Sequence, residues 1–320
     1  MHVFVTGATG WVGAAIVDDL LRAGHRVTGL ARSMEKAEHL VAAGANIVQG
    51  SLDDLDVLRE AASAADAVVH TAFNHDFIHS AGNHGFTTFL ESAAQDQRVI
   101  EILGSVLEGS NRPLLVTSGL SGLPRGVTEM DLPNPASPRK SEAAARTLAA
   151  RGVRAATVRL APSVHGIGDY GFVPVLVKLA HATGVSAYID EGQNCWSGVH
   201  RLDAARVYRL ALEQGVTEPV YHAVADEAVP FKEIAAVIGR QLNLPVEARP
   251  REHFGWFATM AGADMAASSA RTRTLLGWQP SGSGLLADLD QPGYAVPNSD
   301  RRRSCVDQHK AHGDFAAKLL

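Results

Sequence analysis

Apolar residues recur along the first half of the chain in two alternating rhythms. Short β-rich runs fall at 2–6, 26–30, 45–49, 67–70, 113–117 and 153–160. Between them lie longer stretches with helical spacing, at 11–23, 34–43, 53–64, 86–108 and 139–151. This alternation predicts parallel strands joined by right-handed crossovers, with helices on both faces of one sheet. Ala67-Val68-Val69-His70 and Leu114-Leu115-Val116 are unbroken apolar runs, as expected of strands covered on both sides. Past about residue 170 the rhythm loosens. A helix near 172–183, a strand near 185–189, a helix near 202–213, a strand at 219–223 and helices at 230–241 and 268–276 predict a smaller lobe closing over one sheet edge.

Composition adds bounds. The chain has 320 residues, 46% hydrophobic and 20% charged, which is the mix of an ordinary globular protein large enough for a sizeable core. A net charge of −5 gives no electrostatic case for nucleic acid or for an acidic membrane surface. No apolar run reaches membrane-spanning length, and the first residues show no basic leader. Cys195 and Cys305 lack metal-ligand spacing and read as thiols of a reducing cytoplasm, the expected location. His75 and His79 stand four apart, but Gly82-Asn83 interrupts the stretch, and no metal is expected.

Chemistry enters at the first turn, Thr6-Gly7-Ala8-Thr9-Gly10-Trp11-Val12-Gly13, between the first strand and the first helix. A pyrophosphate is stabilised by backbone N–H groups at a helix N-terminus, provided the backbone can come close. Gly7 permits the tight turn, Gly10 clears the face toward the phosphates and Gly13 lets helix and strand pack closely. The end of the second strand speaks to the dinucleotide. Val27-Thr28-Gly29-Leu30-Ala31-Arg32-Ser33 has no acid for the ribose hydroxyls. Arg32 offers a guanidinium fork suited to a 2′-phosphate, and Ser33 a further hydrogen bond, so NADP is expected in preference to NAD.

The glycine turn, with Val68-Val69-His70-Thr71-Ala72, Val116-Thr117-Ser118, Arg159-Leu160-Ala161-Pro162-Ser163-Val164-His165-Gly166 and Val199-His200-Arg201-Leu202-Asp203-Ala204-Ala205, resembles the extended and atypical short-chain dehydrogenase/reductases, the NAD-dependent epimerase/dehydratase family. The resemblance covers roughly residues 1–290. It implies an α/β fold, a Rossmann-type doubly wound parallel sheet with a smaller C-terminal substrate lobe. The expected NADP-binding domain is 1–170 with about 199–225, the lobe is about 171–198 with 226–290, and 293–320 is a loosely ordered tail. By the same resemblance Ser51 and Leu52 flank the adenine, and Thr71, Ala72 and Phe73 lie along the ribose and phosphates. Residues 161–164 (Ala161, Pro162, Ser163, Val164) border the nicotinamide. The turn itself contributes Gly7, Thr9, Gly10, Trp11, Val12 and Gly13.

Reductases of this kind use a Ser–Tyr–Lys set, with Tyr-x-x-x-Lys opening the helix after the fifth strand. Here that region reads Pro133-Asn134-Pro135-Ala136-Ser137-Pro138-Arg139-Lys140-Ser141-Glu142-Ala143, and no tyrosine occurs between Met1 and Ala161. If Glu142 takes the place of the family's helix glutamate, Asn134 and Pro138 stand at the Tyr and Lys positions. Neither transfers protons. Ser118, or Thr117 if the register slips by one, is the candidate hydroxyl at the sheet edge, and either could instead cap the strand. Candidate proton donors are His75 after the fourth strand and Tyr170 and His165 after the sixth, with Lys140 one or two positions off register.

Three functions follow. The leading one is an NADP(H)-dependent oxidoreductase of a small carbonyl or alcohol with a non-standard catalytic set. The others are a sugar-nucleotide epimerase or dehydratase, and a non-catalytic NADP-binding sensor or scaffold. The partner expected is a small-molecule substrate. The apolar face of 86–108 (Phe89, Val99, Ile100, Leu103, Leu107) serves either a homodimer or the monomer core.

Overall fold

The computed structural model describes residues 1–75 and 83–294, with side chains from residue 88 in the helix that begins at residue 83. Its chain order opens β1 (His2–Thr6), α1 (Trp11–Arg22), β2 (Arg26–Ala31), α2 (Met34–Ala42), β3 (Asn46–Gln49), α3 (Leu55–Ser63), β4 (Ala67–His70), α4 (Asn83–Leu107), β5 (Pro113–Gly119), α5 (Ser141–Ala150) and β6 (Arg154–Leu160). It continues through β7 (Ser163–His165), α6 (Phe172–Thr183), β8 (Ser186–Tyr188), β9 (Cys195–His200), α7 (Arg201–Glu213), β10 (Val220–Ala223), β11 (Asp226–Pro230), α8 (Phe231–Leu242) and β12 (Val246–Ala248). Three short helices follow, α9 (Ala258–Ala261), α10 (Ala270–Leu276) and α11 (Leu285–Leu289).

The main sheet has the order β3-β2-β1-β4-β5-β6-β10, all parallel. Chain order reverses between β1 and β4. That opens a crevice at the carboxyl ends of the strands, where ligands bind in such sheets. One core, with Val3, Val5, Ile16, Leu20, Val207 and Tyr208, fills the face under α1 and α7. A second, with Phe4, Val68, Leu114 and Leu148, fills the face under α3, α4 and α5. Strand residues alternate between the two, as a pleat with both faces covered requires.

A third core gathers around Trp196, Phe231 and Phe257, with Trp196 and Phe231 edge to face at 5.2 Å. It takes residues from α6, β8, β9, α8 and α11. Leu276 and Trp278, however, pack into the core under α1 and α7, so the stretch 226–290 is divided between the lobe and the main sheet. The strands at 195–200 and 226–230 were not expected. β9 is buried along almost all its length and shows no period-two pattern, and β11 is a bulged edge strand ending in Pro230.

Of the two uses left open for the apolar face of 86–108, the monomer core takes Val99, Ile100, Leu103 and Leu107, which are buried within this chain. The tail does not begin at 293, because Tyr294 is buried and its hydroxyl donates to Asp169 at 2.8 Å. The rest of that expected tail, and His79, lie outside the described residues.

Candidate functional site

The β1–α1 turn is built for close approach. Gly7 has φ +68°, and a Cβ there would stand 2.7 Å from the Ala72 nitrogen and 2.8 Å from Thr71 Oγ1. A Cβ on Gly13 would stand 2.1 Å from the Gly7 carbonyl oxygen. Thr71 locks this packing by donating from Oγ1 to the Thr6 carbonyl at 2.7 Å. Helix α1 starts at Gly10 with no side-chain cap and no acid in its first turn. Its leading N–H groups and positive dipole end are therefore suited to an anion. This cradle fits the pyrophosphate of a dinucleotide.

The other expected cofactor contacts gather along the same sheet edge. Arg32 follows β2 with its side chain exposed, and Ser33 caps α2 by accepting from Lys36 N–H at 3.5 Å. Ser51 Oγ donates to Asp54 at 2.8 Å, a turn contact that occupies its proton, while Leu52 packs on the core under α3. Trp11 reaches across to the segment after β6, its Nε1–H donating to the Val164 carbonyl at 2.7 Å. Ala161 and Ser163 are buried, Pro162 is half-buried, and Ser163 Oγ has no hydrogen-bond partner among the described residues. Thr9 and Val12 are half-buried on the turn.

The catalytic candidates do not converge. Tyr170 is mostly exposed, and its hydroxyl accepts the Trp11 backbone N–H at 2.8 Å. It therefore stands at the start of α1, away from the end of β5. Burial of the hydroxyl end raises its pKa above the ordinary tyrosine value. His75 is exposed beside the Phe73 ring, 5.3 Å between centroids. His165 is fully buried, with Nδ1 2.8 Å from Asp288. Lys140 donates to the Pro135 carbonyl. Asn134 is an exposed turn residue, its Oδ1 accepting from Ala136 N–H, and Pro138 is exposed. Neither adds acid–base chemistry.

At the end of β5 the pleat points Thr117 and Ser118 to opposite faces. Ser118 is half-buried. Thr117 turns under the sheet, where Oγ1 lies 2.8 Å from the hydroxyl of Tyr208 on α7. Tyr208 is wholly enclosed, and burial drives its pKa far up, so it stays protonated. Arg139, just before α5, donates from Nη2 to the Thr117 carbonyl at 3.1 Å and from Nε to Ser141 Oγ at 2.9 Å. Its guanidinium carbon lies 4.3 Å from the Phe73 ring centroid. Ser141 Oγ donates to Asp96 at 2.5 Å, Asp96 accepts from His70 Nε2 at 3.0 Å, and His70 Nδ1 takes the Thr6 hydroxyl at 2.7 Å. This buried chain ties the glycine turn to the start of α5.

Sequence reasoning missed Arg139 and Tyr208. Arg139 stands one position past the family's lysine register, a signal that was in reach. Tyr208 lies on a helix 91 residues from Thr117 in sequence, and only the packing of α7 under β5 reveals it.

A profile of the NAD dependent epimerase/dehydratase family matches residues 3–224. The uncharacterized protein C2A9.02 of Schizosaccharomyces pombe is 44% identical over 303 residues, covering 92% of this chain and 100% of its own length. A 4-hydroxy-2-methyl-3-oxo-4-farnesyl-3,4-dihydroquinoline-1-oxide ketoreductase of Stigmatella aurantiaca is 28% identical over 80% of each chain. Among solved structures, MoeE5 in complex with UDP-glucuronic acid and NAD superposes with a TM-score of 0.68 at 21% identity, covering 95% of this chain and 100% of its own.

Proposed function

We propose, from the premise that this chain belongs to the NAD-dependent epimerase/dehydratase family, that it is an NADP(H)-dependent oxidoreductase of a small carbonyl or alcohol. The observation that carries the reading is the glycine cradle at the N-terminus of α1, which has no side-chain cap of its own and lies on the same sheet edge as Ser118 at the end of β5. When bound, the nicotinamide supplies the hydride chemistry. The glycine turn would hold the pyrophosphate, and the segment after β6, held by Trp11, would border the nicotinamide. Ser118 would hydrogen-bond the substrate oxygen. The related ketoreductase supports carbonyl reduction as the reaction class.

NADP is our choice over NAD. Arg32 follows the second strand, no ion pair engages it among the described residues, and its exposed fork can take a 2′-phosphate. The sugar-nucleotide alternative is weakened by Asn134 and Pro138, because epimerases and dehydratases of this family need the acid–base pair that these positions lack. The same two residues favour one second reading, a dinucleotide-binding sensor without turnover.

The test is NADPH consumption by the full chain against a panel of small aldehydes and ketones. The oxidoreductase reading expects turnover with at least one of them, lowered in Ser118→Ala. Tight NADPH binding with no turnover across the panel would leave the sensor.

A further inference from the structure

Arg139 stands out as a cation with unused donors in a desolvated place. A guanidinium has five N–H groups. Nε–H goes to Ser141 and one Nη2–H to the Thr117 carbonyl, while no hydrogen bond engages Nη1 among the described residues. One face is covered by Phe73 at 4.3 Å. No carboxylate forms an ion pair with Arg139 among the described residues, and Asp96 is linked to it through Ser141 Oγ. Burial pulls the guanidinium pKa below its ordinary value, as for a charge whose hydration is incompletely replaced. A half-buried cation of this kind gains most from an anion that completes its fork.

The chemistry of that anion follows from the surroundings. Arg139 is held rigidly by the Phe73 stack and two hydrogen bonds, and its neighbour Ser118 lies at the carboxyl edge of β5. A planar two-oxygen group matches the planar guanidinium fork bidentately, with both oxygens in the plane of the donors. We propose that Arg139 is the substrate anchor and that the substrate carries a carboxylate close to its reactive carbonyl, as in a 2-oxo acid. This rests on the oxidoreductase reading and names its substrate class. Arg139 binds the carboxylate and Ser118 the neighbouring carbonyl oxygen. Asp96 and Ser141 are positioning residues that keep the guanidinium at the strand end.

Calorimetric titration of the full chain, with and without NADP⁺, tests this using oxamate as probe, with ethyl oxamate as its uncharged counterpart and inorganic phosphate as the competing anion. Wild type is expected to bind oxamate at least about tenfold more tightly than the ester or phosphate, with affinity falling as salt rises. Arg139→Gln should erase the preference for oxamate, and Arg139→Lys should keep only part of it. Should Arg139→Gln fail to fold, the wild-type and Arg139→Lys titrations decide. Equal binding of oxamate and ester, binding of none of the three, preference for phosphate, or a preference surviving in Arg139→Gln would overturn the proposal. NADPH titrations on the same samples keep the two readings apart. Loss of dinucleotide binding by wild type would defeat the function itself, whereas normal NADPH binding without oxamate preference defeats only the anchor.

Discussion

Tyr170 and Trp11 meet where a phosphate and a side chain would compete. The Trp11 backbone N–H belongs to the first turn of α1, and the Tyr170 hydroxyl accepts it at 2.8 Å. The Trp11 ring is fixed besides by the Val164 carbonyl and by the Arg201 guanidinium 4.4 Å from its centroid. Tyr170→Phe removes the competing acceptor and leaves the edge-on contact of the two rings, 5.9 Å between centroids, in place. One neutral hydrogen bond is worth about 1 kcal/mol, so NADPH should bind about fivefold more tightly to the variant. Fluorescence titration checks it, and weaker binding would mean that the hydroxyl helps to hold the dinucleotide. At this scale the cradle was legible from sequence, because glycines act through the backbone and their spacing is local. Tyr170 was visible as a loop residue after the sixth strand, but a loop position does not say where the hydroxyl lands. Arg139 and Tyr208 depend on α5 and α7 meeting β5 from opposite faces, which no local pattern encodes.

Helix α5, already packed on the sheet through Leu148, is tied to it by a buried ion pair as well. Arg159 on β6 donates from Nε and Nη2 to the two carboxylate oxygens of Glu142 at 2.8 and 2.7 Å, with both side chains almost wholly enclosed. Its remaining donors reach the Thr128 and Asp131 carbonyls and His222. Removing one partner leaves a buried charge alone, so Glu142→Ala should cost about 3–5 kcal/mol in denaturant unfolding. The paired replacement Glu142→Leu with Arg159→Met should recover much of that loss, and a double variant as unstable as Glu142→Ala would refute this account. Because Arg139 immediately precedes α5, the same anchor fixes its place at the end of β5. Elements with strong periodicity, β1 to β6 and their helices, were read to within three residues at each end. Those missed, β7, β9, β11 and β12, are three to six residues long, too short to carry a period; Trp196 of β9 and Val229 of β11 join the lobe core, while Val164 of β7 and Val199 of β9 join the core under α1 and α7.

For the molecule as a whole, buried histidines tie stability to pH. His222 Nδ1 donates to the Ser268 carbonyl at 2.7 Å and Nε2 faces Arg159 at 3.1 Å, an arrangement that suits only the neutral ring. Burial holds its pKa below 6.5, and burial does the same for His200. The unfolded chain therefore takes up these protons first as pH falls. The stability they contribute is complete above about 6.5 and is lost below it, at up to about 1.4 kcal/mol per pH unit for each proton. The thermal midpoint should drop on acidification below that value, with a shallower slope in His222→Gln. An unchanged slope would exclude His222 as a source.

The central claim is that the Gly7–Gly10–Gly13 turn holds a dinucleotide whose 2′-phosphate is read by Arg32. Equilibrium titration of wild type and Arg32→Ala with NADPH and NADH tests it most directly. The account predicts that wild type binds NADPH at least about tenfold more tightly than NADH, and that Arg32→Ala loses this gap by weakening NADPH alone. Equal affinities in wild type, equal loss for both nucleotides in the variant, or no binding of either would contradict it.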